Sequence, residues 1–203
     1  MSELLASGAA VLRAFASNRG RMLLDAVEQI AAHAPFRFMT TPGGYPMSVA
    51  MTNCGSVGWV TDRSGYRYER ADALTGQPWP AMPAVFHELA ASAAAHAGFA
   101  NYAPDACLIN RYEPSARMSL HQDKDERDLA APIVSVSLGL PAVFLFGGMR
   151  RGDRPTRVPL EHGDVVVWGG PARLRYHGVL PLKEGEHPMV GRHRVNLTFR
   201  KAL

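Results

Sequence analysis

The most constraining feature of this chain is residues 129–149, LAAPIVSVSLGLPAVFLFGGM, a run of 21 residues without a charge. It has about the length of a bilayer span. However, Pro132, Gly139, Pro141, Gly147 and Gly148 interrupt it, and Ser135 and Ser137 alternate with valine. Proline and glycine at that density break a helix, and a period of two is the signature of a strand. The run therefore reads as two buried strands, 133–139 and 142–146, joined at Leu140-Pro141, and not as a membrane segment. At the N-terminus, Glu3 and Arg13 bracket an apolar stretch too short for export. Cys54 and Cys107 form neither a CxxC pair nor a disulfide framework, which points to reduced thiols and a cytoplasmic location.

The same punctuation continues through the C-terminal half. Short strands are expected at 106–112, 117–121, 133–139, 142–146, 158–160, 164–168, 173–179 and 193–200, separated by glycine- and proline-containing turns. Two helices are expected outside them. Residues 18–34 carry Met22, Leu23, Val27, Ile30 and Ala31 on one face, with Ser17 or Asn18 as cap and Pro35 as stop. Residues 83–97 begin at Pro83 and end before Gly98. Between the helices, 38–80 reads as hairpins with long loops, including short strands at Met47–Thr52 and Gly58–Thr61. The expected architecture is mainly β, a double-stranded β-helix or jelly roll over about 100–200, in one domain of 203 residues. Hydrophobic residues at 47% and charged residues at 20% exclude wholesale disorder. A net charge of +4 permits a polyanionic partner without requiring one.

Histidine placement carries the first chemical signal. His121-Gln122-Asp123 sets two ligand types at i and i+2, which share a face if the segment is a strand. His177, on a later strand, can supply a third ligand. Two imidazoles and a carboxylate match the facial triad of non-haem Fe(II) oxygenases, which leaves coordination positions open for a ligand and dioxygen. The HxD pair alone is equally compatible with structural roles. His162-Gly163-Asp164 has the same pattern but reads as a turn, and His33, His87 and His96 fall on the expected helices without an i+4 partner.

The second signal is Arg194-Val195-Asn196-Leu197-Thr198-Phe199-Arg200, which alternates without a break. Its bland reading is a half-buried strand with a solvated polar face. Its functional reading turns Arg194, Asn196 and Arg200 into a lumen, where guanidiniums bind carboxylates. Asn110 and Tyr112 would add an amide and a phenol on a second strand. A dicarboxylic 2-oxo acid, chelating iron at one end and meeting arginine at the other, accounts for both patterns together.

The blocks NRYxPxxxxxxHQDKDE, PIVSVSLGLPAVF, FGG, EHGDVVVWGG, YHG and RxNLTFR resemble the AlkB family of Fe(II)- and 2-oxoglutarate-dependent dioxygenases. TPGGYPMSVAMTNCG and GQPWPAMP resemble its bacterial branch. The resemblance runs from about residue 8 to residue 200. It implies His121, Asp123 and His177 as iron ligands, and Asn110, Tyr112, Arg194, Asn196 and Arg200 as 2-oxoglutarate contacts. Trp59, Tyr66 and Tyr68 would lie on a nucleotide-recognition lid within 38–80, with an aromatic stacked on a flipped base. His121 would flank that base on its other side, Asp125 would sit beside its edge, and Arg151 would be a basic substrate contact. Leu145, Val195, Asp62 and Ser64 depart from the family pattern, and the N-terminus is shorter.

The implied activity is oxidative removal of N-methyl groups from bases such as N1-methyladenine and N3-methylcytosine, in single- or double-stranded DNA and in RNA as the alternative polymer. It consumes Fe(II)-bound 2-oxoglutarate and O2, and releases formaldehyde, succinate and CO2. A base inside a duplex must be extruded to reach the metal. Arg150, Arg151, Arg154 and Arg157 form a basic run on a glycine- and proline-containing loop, in which Arg151 is expected to meet phosphate while Arg154 and Arg157 read as a solvated loop surface. The protein is expected to be a monomer without a membrane partner. Two rivals remain at this stage: an Fe(II)/2-oxoglutarate hydroxylase of a protein or small molecule, and a nucleic-acid-binding module with a structural metal.

Overall fold

The computed structural model describes residues 2–203. The chain begins with β1 (Ser2–Ala6), β2 (Ala9–Leu12), α1 (Gly20–His33), β3 (Arg37–Thr40), β4 (Pro46–Gly55), β5 (Gly58–Asp62) and β6 (Gly65–Glu69). It continues with α2 (Ala84–His96), β7 (Ala106–Tyr112), β8 (Met118–His121), β9 (Ile133–Gly139) and β10 (Ala142–Phe146). It ends with β11 (Thr156–Leu160), β12 (Val165–Trp168), β13 (His177–Val179) and β14 (Arg194–Arg200).

These strands form an eight-stranded sheet in the order β1-β2-β12-β9-β14-β7-β4-β3, a four-stranded sheet β11-β10-β13-β8, and the separate hairpin β5-β6. The two larger sheets make a jelly roll. Among the described residues no helix is long and apolar enough to cross a membrane. The uncharged run folds as β9 and β10, and all seven residues of β9 are buried.

Both helices pack on the outer face of the large sheet, where side-chain alternation meets helical periodicity. Leu23, Leu24, Val27 and Ile30 of α1 and Phe86, Leu89 and Ala93 of α2 share one core with Ile109, Val136, Val167, Val195, Leu197 and Phe199. Phe86 meets Phe199 edge to face with centroids 5.6 Å apart. Met22 is not on that face; it is 58% exposed, and Leu24 occupies the expected position. The expected side-chain cap of α1 is also absent, because a 3-10 turn at Ser17–Arg19 leads directly into the helix. Ser17 Oγ instead donates to His162 O at 3.2 Å. The end of α2 follows the sequence closely: Gly98 adopts φ +90°, its N–H bonds Ala95 O, and Phe99 N–H bonds Ala94 O. Those paired bonds satisfy the terminal carbonyls, and the left-handed residue between them favours glycine.

Three features depart from the expected strands. The β1-β2 hairpin extends the large sheet, with β2 lying beside β12, and Arg13 closes it onto Glu3 at 2.6 Å. β3 and β6 complete hairpins of which only β4 and β5 were legible. The expected strand 173–179 shrinks to His177–Val179, because Pro171 lies in a 3-10 turn at Gly170–Ala172 and the Arg173 side chain binds loop carbonyls.

Candidate active site

β8 and β13 are neighbours in the four-stranded sheet, and their register places His121 directly opposite His177. The two rings lie 4.4 Å apart, centroid to centroid. β8 ends at His121, so Asp123 lies in the irregular segment beyond it, not at i+2 on a strand face. Its carboxylate still turns toward both imidazoles: Oδ1 is 3.6 Å from His121 Nε2, and Oδ2 is 3.7 Å from His177 Nε2. The three candidate ligand atoms lie within 4.8 Å of one another.

Backbone carbonyls set the ring orientations. His121 Nδ1 lies 2.8 Å from Ser119 O, and His177 Nδ1 lies 3.1 Å from Arg175 O. A carbonyl can only accept, so each Nδ1 carries the proton and each Nε2 keeps its lone pair facing the carboxylate. Burial, reinforced by His121, pushes the His177 imidazole down to about 3, so it is neutral at physiological pH. Burial opposes ionisation of Asp123, but the Arg200 guanidinium and then the two imidazoles hold it well below the usual carboxylate range. Two nitrogens and one anionic oxygen, converging from one side, fit a ferrous ion with open positions.

His162-Gly163-Asp164 does not join this centre. His162 Nδ1 accepts the Gly139 N–H at 3.0 Å and its ring stacks on His187, while Asp164 accepts from Arg13 and from the Ala14 and Glu161 N–H groups.

The polar face of β14 points between the sheets. Arg194, Asn196, Thr198 and Arg200 line one cavity with Asn110, Tyr112, His121 and His177. The β14-β7 register pairs Arg194 with Tyr112 and Asn196 with Asn110. Arg194 donates one bond, to Ser137 Oγ at 3.0 Å, and lies 5.0 Å from the Tyr112 ring centroid. Among the described residues its Nε and Nη1 are buried without a partner, as is Asn110 Oδ1. A buried guanidinium with idle donors suits a carboxylate of 2-oxoglutarate, which would satisfy them with charge-assisted bonds. Asn196 is already committed: Nδ2 donates to Ser135 Oγ and Val136 O, and Oδ1 accepts from Asn110 and Thr198.

The β5-β6 hairpin stands beside this cavity. Trp59 pairs with Tyr68 across the hairpin, which places Trp59, Tyr66 and Tyr68 on one face and Asp62, Arg67 and Glu69 on the other. Trp59 and Tyr66 stack with centroids 5.6 Å apart, and Trp59 Nε1 donates to Asp125 Oδ2 at 2.9 Å. Tyr68 points inward, donating its hydroxyl to Glu126 Oε1 at 2.6 Å. Arg151 is exposed on the loop between β10 and β11.

The family model described as the 2OG-Fe(II) oxygenase superfamily matches residues 8–200. The chain belongs to that superfamily. It is 62% identical over 200 residues to the alpha-ketoglutarate-dependent dioxygenase AlkB of Salmonella typhimurium, covering 98% of this chain and 93% of the relative. The nucleic acid dioxygenase ALKBH1 of Homo sapiens is 33% identical over 132 residues, 63% of this chain and 33% of that one. The solved structure of OsALKBH1 superposes with a TM-score of 0.86 at 27% identity, covering 99% of this chain and all of that one. The protein is therefore an Fe(II)- and 2-oxoglutarate-dependent dioxygenase, with O2 as its oxidant.

Two residues of this dioxygenase carried no separable sequence signal. Glu126 and Arg173 are buried and paired at 3.0 Å. Arg173 also donates to Asp123 O at 2.7 Å and to Ala131 O at 3.0 Å, so one side chain clasps both ends of the irregular segment that carries Asp123, Asp125 and Glu126. Arg200 Nε approaches Glu126 Oε1 at 3.3 Å. Two anions, Asp123 and Glu126, and two cations, Arg173 and Arg200, thus compensate one another out of water, with Tyr68 attached. Glu126 was visible only as the end of the HQDKDE block, and Arg173 only as one basic residue among many.

Proposed function

We propose that this dioxygenase demethylates ring nitrogens of nucleic-acid bases, N1-methyladenine and N3-methylcytosine foremost, in single- or double-stranded DNA and also in RNA. The observation that carries this reading is the Trp59–Asp125 hydrogen bond, which joins a stacking indole to a carboxylate two residues beyond Asp123. An indole face accepts any base, contributing about 1–3 kcal/mol per stacked base. A carboxylate at the base edge selects for positive charge, which methylation at these ring nitrogens confers.

In this reading 38–80 is the lid of a single catalytic domain. His121, Asp123 and His177 hold Fe(II); Asn110, Tyr112, Arg194, Asn196 and Arg200 surround 2-oxoglutarate. The bound metal, cosubstrate and O2 supply hydroxylation of the methyl carbon, with succinate and CO2 formed alongside. The protein residues do the rest. Arg194 anchors a carboxylate with its idle donors, and Arg200 keeps Asp123 ionised. Trp59 and Asp125 orient the extruded base, Tyr66 widens the aromatic platform, and Tyr68 ties the lid to Glu126. Arg151 meets a phosphate. The N-hydroxymethyl product loses formaldehyde and leaves N–H on the base. The reading also takes the protein as monomeric and cytoplasmic, the latter from Cys54 and Cys107, both buried and free.

The test incubates the protein, Fe(II), ascorbate and 2-oxoglutarate with an oligonucleotide containing N3-methylcytosine. Mass spectrometry is expected to show loss of one methylene mass, abolished by His121→Ala. An unchanged strand, with 2-oxoglutarate still consumed on another substrate, refutes the assignment in favour of protein or small-molecule hydroxylation.

A further inference from the structure

A second concavity lies apart from the metal site. A groove of about 660 Å³ is lined by Leu145, Arg154, Pro155, Thr156, Arg157 and Leu180. In β10, Phe144 and Phe146 are buried between the sheets, whereas Val143 and Leu145 are only partly covered. Leu145 therefore points to the outer face of the four-stranded sheet. The β10-β11 register sets Arg157 opposite Leu145, so a guanidinium lies beside an aliphatic floor. On its other side Leu145 pairs with Gly178, next to His177, so the groove backs onto the metal site across one sheet.

Arg154 and Arg157 are exposed, and neither has an acidic partner among the described residues. The nearby Asp153 is taken by Arg150, accepting from its N–H at 3.0 Å and its Nε at 3.4 Å. The loop between β10 and β11 is fastened at its base: Gly147 N–H bonds Tyr176 O, Tyr176 N–H bonds Gly148 O, and Arg175 Nε donates to Gly147 O at 2.6 Å. Arg151 and Arg154 thus stand on an anchored rim leading from the active-site sheet to the outer groove.

We infer that this groove binds a flanking single-stranded nucleotide segment of the substrate nucleic acid, with phosphates on Arg154 and Arg157 and a sugar or base face on Leu145 and Leu180. The inference rests on the proposed nucleic-acid substrate. Guanidiniums pair with phosphate in a fork geometry, and an aliphatic floor covers the uncharged part of a nucleotide. On the proposed function a phosphate next to the target base meets Arg151, and the anchored rim carries that path on to Arg154. The contact is independent of base identity and independent of the reacting methyl group.

The experiment compares wild type with Arg154→Glu/Arg157→Glu and with Leu145→Asp. Fluorescence anisotropy measures binding of an unmodified single-stranded oligonucleotide of about 15 nucleotides, a length within the range such surfaces cover, across a salt series. In parallel, demethylation of an N3-methylcytosine trinucleotide is measured. The double variant is expected to weaken long-oligonucleotide binding and to reduce the log–log salt slope by about 1.4, near 0.7 per lost single-strand contact. Leu145→Asp is expected to weaken the same binding, and both variants should turn over the trinucleotide at the wild-type rate. An unchanged salt slope overturns the inference, as does an equal loss on both substrates, or selective binding of an oligoglutamate peptide in place of DNA. If wild type leaves the trinucleotide unmodified, the demethylase reading fails, whereas the slope comparison still decides the groove.

Discussion

Arg200 directs both Nε and Nη2 at a single oxygen of Asp123, at 2.9 and 2.7 Å, within a side-chain environment almost closed to water. The carboxylate therefore faces a guanidinium through Oδ2 while Oδ1 turns toward His121. Arg200→Met is expected to leave Asp123 and Glu126 without their shared cation. Removing one partner of a buried pair costs about 3–5 kcal/mol, and denaturant unfolding of the metal-free protein should show that loss. Arg200→Lys is expected to recover only part of it, because an ammonium cannot reproduce the two-pronged approach. Equal stability of Arg200→Met and wild type refutes this account of the Asp123 environment.

Acidification should act through His177. Its folded-state value of about 3 lies below the ordinary 6.5, so between those values the unfolded chain binds a proton that the folded chain does not. The stability from keeping this imidazole neutral is complete above about 6.5 and is lost as pH falls toward 3. The limiting slope is about 1.4 kcal/mol per pH unit. Unfolding of metal-free protein between pH 7 and 4 should follow that slope, and His177→Asn should flatten it. Asp123 acts in the same direction at lower pH, since its value is depressed and its contribution disappears only below the ordinary carboxylate range.

The sequence made strands legible where alternation was strict. β9 carries serines between valines, and β14 separates arginines from large apolar residues at every step, so register and facing followed directly. β7, β9 and β10 have the expected bounds, and β14 begins one residue later than expected. β3 and β6 were hidden because each is short, is partly exposed and completes a hairpin whose partner supplies most of the pattern. β1 and β2 were missed together, since β1 is mostly exposed and the four residues of β2, all buried, show no alternation. Within the site, His121, Asp123 and His177 were legible because ligands must be of particular types. Arg173 was not, because its role lies in where its three bonds end, on Asp123 O, Ala131 O and Glu126, and carbonyl acceptors leave no trace in side-chain identity.

That clasp gives a test separable from catalysis. Arg173→Lys keeps the charge but can satisfy fewer of the three acceptors in their present directions. Partners that orient ligands typically contribute 10–100-fold to metal affinity. Titration with Mn(II) or Co(II) is expected to show weaker binding by about that range, with far-ultraviolet circular dichroism unchanged. Glu126→Gln, which retains the shape but removes one anion, should weaken binding less while leaving Arg173 poorly compensated and the fold less stable. Wild-type metal affinity in Arg173→Lys refutes the positioning role.

Trp59 makes two contacts that substitution can separate. Its ring stacks on Tyr66, and its Nε1 donates to Asp125. Trp59→Ala removes both and is expected to raise KM for an N3-methylcytosine oligonucleotide by about 5–150-fold, the equivalent of about 1–3 kcal/mol of base stacking. Trp59→Phe keeps an aromatic face but leaves Asp125 without its donor. On the proposed function it should therefore retain most of the affinity while losing discrimination between methylated and unmodified strands, because a carboxylate freed from the indole is no longer held at the one position that a base-edge contact requires. Substrate-independent decarboxylation of 2-oxoglutarate should continue in both variants, since neither change touches Arg194 or the three candidate ligands. If Trp59→Phe and Trp59→Ala lose affinity equally, stacking is not what the indole contributes, and the hydrogen bond to Asp125 alone positions the base.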